Sequence, residues 1–319
     1  MALKTHAPSW IGASPFGHCG HLVRRAGLRA IGLSMLVGAC TAHGATPSPQ
    51  ADAGLCALAD PGPDALVQVP FETVDGRIYV AVQVNGQGPF RFAVDTGASG
   101  IARADTRLLQ ALSLQAQGQS STSDGVSTTD VETVRLASLR LGALVRTDVE
   151  VITRDYGRRS AADAKFDGIL AREFFADGLL VIDYPRKRLS FTRASALRQG
   201  SPGVLAYERA FRVPVSIGAL QTVGNLDTGA NVRFVLPQAL YRTLGHGALS
   251  YAGRAQLTNG QVDLQRATVH GPFHIGALTL ADVEVRVSDK YPELLVGAHA
   301  LQSTVLLIDQ RSKAVAVCP

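Results

Sequence analysis

From Phe71 onward the chain alternates short β-rich runs with turn residues. Tyr79-Val80-Ala81-Val82-Gln83-Val84 is followed by Gly/Asn punctuation and then by Phe90-Arg91-Phe92-Ala93-Val94, which predicts a hairpin whose second strand delivers Asp95. Leu108 to Leu114 predicts a short helix, and Val134 to Leu144 and Val149 to Ile152 predict further strands. The unbroken apolar run Leu179-Leu180-Val181-Ile182-Asp183 reads as a buried strand, with Leu189-Ser190-Phe191 closing the unit. Residues 193–203, including Gly200-Ser201-Pro202-Gly203, read as a linker. Residues 41–68, rich in Ala, Pro, Asp and Gly and without a period, read as a flexible tether.

The second half of the chain repeats this order. Phe211 to Ile217 matches the first hairpin strand, and Asp227-Thr228-Gly229-Ala230 matches Asp95-Thr96-Gly97-Ala98. Asn259-Gly260 matches the hairpin-turn signal Asp124-Gly125, and Ile275-Gly276-Ala277-Leu278 matches Leu141-Gly142-Ala143-Leu144. Leu295-Val296-Gly297 matches Ile169-Leu170-Ala171, and Leu307-Ile308-Asp309 matches Val181-Ile182-Asp183. The offsets run 132, 135, 134, 126 and 126, drifting by loop-sized steps. Matches kept in one order identify an internal duplication, and its period is far too long for a solenoid, so the units are expected to be lobes. The drop to 126 gives the first half about eight extra residues around Thr153 to Lys165. The expected organisation is a leader over 1–40, the tether over 41–68, an N-terminal lobe over 69–195 and a C-terminal lobe over 205–319.

Charge changes little once it is placed. Lys4, Arg24, Arg25 and Arg29, with no acid among residues 1–40, account for +4 of the formal +5. The remainder is near neutral, so a nucleic-acid partner is not expected. The basic leader and the short apolar run Ala30 to Ala39 resemble an export signal too short for a permanent membrane anchor. Val37-Gly38-Ala39-Cys40 resembles a bacterial lipobox with Cys40 as the lipidation candidate; ordinary cleavage among Ala39 to Ala45 is the competing reading. Either way the chain is expected outside the cytoplasm, periplasmic or anchored to the outer membrane of a bacterium, touching a membrane only through such a lipid.

Two copies of one acidic loop suggest a site made of two carboxylates, one from each half. A carboxylate on a rigid β-turn is firmly placed, and the glycine after the threonine allows close backbone approach. Two facing carboxylates cannot easily both ionise, so they share a proton. One can then take a proton from water while the other gives one to a carbonyl under attack. Such peptide hydrolysis needs no metal or cofactor. His270 and His274, four apart around Gly271-Pro272, do not make a metal face. Ser99 and Asn231 flank the acids. Neither a nucleophile-elbow serine nor a phosphate-binding glycine loop is visible.

From about Tyr79 to Val317 the chain resembles an aspartic protease of the pepsin and retroviral-protease superfamily, nearest to the bacterial retropepsin-like enzymes. The resemblance rests on Asp95-Thr96-Gly97-Ala98, Asp227-Thr228-Gly229-Ala230 and the later Leu295-Val296-Gly297, with Ile169-Leu170-Ala171 as an imperfect match. It implies an all-β fold of two β-barrel-like lobes related by a pseudo-twofold, with a cleft between them. Asp95 and Asp227 would be the catalytic pair. Thr96 and Thr228 would lock the loops together, with Gly97, Ala98, Gly229 and Ala230 completing them. Asp124, Gly125, Asn259 and Gly260 would be flap tips over an extended peptide; plain surface hairpins are the other reading. The implied activity is an exported, monomeric endopeptidase acting on peptide or unfolded protein. A catalytically inactive peptide-binding module, or lobes that pair with another chain, are the alternatives. Ala171 departs from the family glycine, and Ala98 and Ala230 replace a hydroxyl residue, which implies a dyad working at milder pH than a gastric enzyme. Outside the leader only Cys56 and Cys318 remain. In an oxidising compartment they are a disulfide candidate, favoured by termini that share a sheet in such a fold; two unpaired thiols are the alternative.

Overall fold

In this computed structural model the described residues are 54–60, 62–123, 126–157, 162–245, 247–257 and 259–319, and they fall in one compact unit. The leader, Cys40 and the turn residues Asp124 and Gly125 lie outside them.

The period-two pattern builds a mostly β molecule. Arg77–Val84 and Gln87–Asp95 form the expected antiparallel hairpin, pairing Tyr79 with Ala93 and Val80 with Phe92. One face carries Ile78, Val80, Val82, Phe92 and Val94 into the main core. This hairpin belongs to an eight-stranded sheet. From one edge its strands are Glu72–Val74, Arg77–Val84, Gln87–Asp95, Gly168–Ala171, Ala102–Asp105, Leu144–Arg154, Thr128–Leu141 and Gly118–Ser123. A nine-stranded sheet is built from Arg212 to Gly297, with the hairpin Arg212–Ile217 and Leu220–Asp227 and the strand Leu294–Gly297 near its middle.

The expected strand from Val134 to Leu144 is interrupted. Gly142 takes a positive φ of 58°, and Leu141 pairs with Leu144 across a tight turn. Its counterpart Gly276 does the same at 57°, between Phe273–Ile275 and Leu278–Leu280. Both are positions that glycine tolerates at little cost. Asp148 and Asp282, at matched positions in the two halves, also share positive φ (55° and 52°). Among the described residues the helices are short and include Thr106–Leu112, capped by the Asp105 carboxylate, Gln238–Thr243 and Ala298–Leu301. The last was not legible as a helix, because four residues carry no period.

A third sheet of six strands draws on both halves, in the order Val67–Pro70, Arg188–Thr192, Leu179–Asp183, Val305–Asp309, Ala314–Cys318 and Val204–Ala206. At its centre Leu180 pairs with Ile308 and Val181 with Leu307. The strands that carry the repeated segments 181–183 and 307–309 thus pair antiparallel with each other, and the two segments overlap at Val181 and Leu307. A separate apolar cluster behind this sheet contains Leu179, Val181, Val305, Leu307, Ala314 and Ala316. Cys56 and Cys318 are joined there by a disulfide, with Cα atoms 5.8 Å apart. Part of the stretch read as tether is therefore held to the fold, through Cys56 and through the strand that begins at Val67. Among the described residues, no helix is long and apolar enough to cross a membrane.

Candidate active site

Each acidic residue ends a strand that lies beside a parallel partner. Gln87–Asp95 runs parallel to Gly168–Ala171, with Asp95 opposite Ala171; Leu220–Asp227 runs parallel to Leu294–Gly297, with Asp227 opposite Gly297. The chain after each acid turns at once, and the turn is closed inward. The Asp95 Oδ1 accepts from the Ala98 N–H at 2.9 Å, and the Asp227 Oδ1 from the Gly229 N–H at 2.8 Å.

Thr96 and Thr228 tie the two turns to each other. The Thr96 N–H donates to Thr228 Oγ1 (3.1 Å), and the Thr228 N–H to Thr96 Oγ1 (3.0 Å). Each hydroxyl then donates onward to the opposite strand: Thr96 to the Leu226 carbonyl (3.2 Å) and Thr228 to the Val94 carbonyl (2.8 Å). Both threonines are buried, so four otherwise costly polar groups are satisfied across the junction.

This lock brings the carboxylates together. A Cβ added at Gly97 would overlap the Asp227 carboxyl, and one added at Gly229 would overlap the Asp95 carboxyl. Each acid therefore lies against the glycine of the other loop, where any side chain would exclude it. Burial, and then the neighbouring Asp95 charge, push the Asp227 carboxyl up to about 7, while the Gly229 N–H and Arg77 pull the other way. Such a carboxyl keeps its proton into the neutral range.

Beneath each loop runs a supporting strand end. The Arg172 and Glu173 N–H groups donate to the Ala98 and Gly100 carbonyls; the Ala298 and His299 N–H groups donate to the Ala230 and Val232 carbonyls. Gly100 thus stands where Val232 stands in the second half. A Cβ at Gly297 would collide with the Val232 and Ala230 carbonyls and approach the Val232 side chain at 2.9 Å. Ala171 carries its methyl in the corresponding place, fully buried beside Ala98 and Ile169. The bulk is exchanged: valine over glycine in one half, glycine over alanine in the other.

Sequence reasoning missed a cross-brace. The turn between Glu72–Val74 and Arg77–Val84 reaches the second acidic loop. Arg77 Nε donates to the Gly229 carbonyl at 2.6 Å, and Arg77 Nη2 to Asn231 Oδ1 at 3.2 Å. Asn231 Nδ2 donates to Asp75 Oδ2, whose other oxygen lies 3.2 Å from His299 Nε2. Asn231, singled out only as a neighbour of Asp227, is thereby fixed by the opposite half. No local pattern reveals contacts about 150 residues apart, although Asp75-Gly76 was readable as a turn signal.

Of the hairpin-tip residues, Asn259 is placed against the first-half hairpin, its amide donating to the Ser127 carbonyl at 2.6 Å and the Thr122 carbonyl at 3.2 Å. Gly260 closes its own turn by accepting from the Leu257 N–H. His270 and His274 are exposed and bond to Asp282 and Thr279.

Residues 80–174 match the family model described as aspartyl protease, which supports an aspartyl protease family for this chain. The matched span contains the Asp95 loop and the strand end beneath it; Asp227 lies beyond it. Among curated proteins, none matches.

Proposed function

We propose that this protein is an aspartic endopeptidase in which Asp95 and Asp227 share one proton and activate a water against a peptide carbonyl. The observation that carries this reading is the mutual packing of each carboxylate on the other loop's glycine, with Asp227 held protonated toward neutral pH. Asp227 is the proton-bearing member and Asp95 the base. As the water oxygen bonds to the carbonyl carbon, its proton passes to Asp95 and the Asp227 proton passes to the carbonyl oxygen. The tetrahedral adduct then collapses. The C–N bond breaks, the nitrogen takes the proton from Asp95, and Asp227 recovers its own from the adduct hydroxyl.

The wider reading is a molecule of two lobes related by a pseudo-twofold, working as a monomer because both acids come from one chain. Matched parallel pairings at Asp95/Ala171 and Asp227/Gly297 support it. The reading includes export, with lipidation at Cys40 as the anchored form. A disulfide between Cys56 and Cys318 suits an oxidising compartment.

The test is cleavage of a random peptide library from about pH 3 to 8 by the parent, Asp95→Asn and Asp227→Asn chains. A bell-shaped profile abolished in both variants supports the dyad. A parent chain that binds peptides without cleaving them makes it a binding module, and loss of activity in only one variant rules out the two-carboxylate mechanism.

A further inference from the structure

Beside Asp95 stands a basic wall that the proposed chemistry does not use. Tyr79, Ala93, Ile169, Arg103 and Ile152 are successive neighbours across five strands of the eight-stranded sheet. Neighbours across a sheet share a face, and so do residues two apart on a strand. Arg103 therefore rises from the same face as Asp95, opposite the face that packs the main core. It is only 7% exposed, and its Nε is sealed from solvent without a hydrogen-bond partner. No carboxylate pairs with it among the described residues.

The chain is built to hold a second group there. The fully buried Asp105 carboxylate accepts from the Tyr156 N–H (2.8 Å) and the Gly157 N–H (3.1 Å), pinning the start of the segment that lengthens the first half. The Tyr156 ring lies on Phe166, with ring centres 5.9 Å apart, in a small cluster that includes Ala98 and Ala171 of the Asp95 loop and its support. Burial pushes its hydroxyl up, against the pull of Arg103, through charge and a hydrogen bond, and of Arg154, with Asp95 adding to the rise, so the hydroxyl keeps its proton at any working pH. Two guanidiniums and a phenol thus converge next to a candidate catalytic carboxylate.

A buried guanidinium with a donor left unpartnered is costly, and a carboxylate is the planar acceptor its donors fit. We propose that Arg103, with Arg154 and Tyr156, forms a subsite for a substrate carboxylate on the Asp95 side of the cleft. The enzyme then selects peptides bearing that group close to the scissile bond. This rests on the protease reading for its setting. An acidic side chain and a peptide's C-terminal carboxylate offer the same chemistry.

The experiment uses the full chain and three otherwise identical peptides. One carries Glu at a position flanking the scissile bond and a C-terminal amide. The second carries Gln there with the amide. The third carries Gln with a free C-terminus. The Glu position is walked across the cleavage site, and cleavage and equilibrium binding are measured together. At one position Glu is expected to exceed Gln by about tenfold in kcat/KM, a gap that falls to about one in Arg103→Met and is partly kept in Arg103→Lys. Preference for the third peptide over the second instead identifies the C-terminal carboxylate as the group selected. Equal cleavage and equal binding of all three by the parent chain overturns the subsite, whether or not the variants fold. If nothing is cleaved while the Glu peptide still binds more tightly and Arg103→Met removes that difference, the protease reading fails and the subsite stands.

Discussion

Asp227 carries the clearest consequence at the scale of a single residue. Its carboxyl is held well above the unfolded value of 3.8, mainly by burial. A raised acid favours folding while it is protonated, and that contribution disappears as pH rises through about 7. The parent chain should therefore lose stability between about pH 4 and 7. Asp227→Asn, which cannot ionise, should melt higher than the parent at pH 8, by about 2–4 kcal/mol of unfolding free energy, with the gap closing toward pH 4. Thermal melts across that range check it; parallel curves would show that the carboxyl is not held up. The exchanged bulk beneath the loops gives a second test. Gly297→Ala should cost about 2–4 kcal/mol, because its methyl meets backbone carbonyls that cannot step aside, whereas Ala171→Gly should cost only about 1 kcal/mol. Chemical denaturation of both variants compares them. The alanine at 171 stands in the sequence where the second half has Gly297. Its compensation at Gly100 was unreadable there, because the two positions meet only through the folded loop.

Among elements, the hairpins were the most legible part, since alternating side chains and Gly/Asn turns are local signals. Their contacts with the other half were not. The Asp75–Arg77 turn holds the Asp227 loop through one guanidinium that serves both the Gly229 carbonyl and Asn231. Arg77→Ala leaves that carbonyl without its donor and removes a positive charge that opposes the rise of the Asp227 carboxyl. The expected outcome is a loss of about 1–3 kcal/mol in stability and a shift of the alkaline limb of the pH–activity profile to higher pH. An unmoved alkaline limb would confine Arg77 to a structural role. The Asn259 amide joins the two hairpins by two bonds to carbonyls of residues 122 and 127. Asn259→Ala should speed amide hydrogen exchange in both hairpins together while leaving the six-stranded sheet protected. Faster exchange in the second hairpin alone would mean that the junction is not holding the first.

For the molecule as a whole, stability depends on the sheet that gathers strands from both ends of the fold. The duplication announced two similar units, but residues 41–68 lacked any period, and the edge strand Val67–Pro70, which begins in them, was not legible. Its pairing partners are Arg188 to Phe191, too distant in sequence for a local reading. The disulfide ties this region to the last strand, closing a loop with a sequence separation of 262. Cys318→Ser should lower stability by about 2–5 kcal/mol, read as a drop in the melting temperature that added reductant reproduces in the parent and not in the variant.

That bond also gives the chain a different covalent topology. From Cys56 to Cys318 the backbone and the disulfide together make a ring, and the residues that carry the candidate chemistry all lie within it. A ring cut once is still one molecule. Nicking the linker at 193–203 would therefore release no fragment and leave the apparent size unchanged until a reductant opened the disulfide. Wherever a protease reaches that linker, such a chain survives a first cut with both acidic loops still attached to each other. A second cut is needed to separate them.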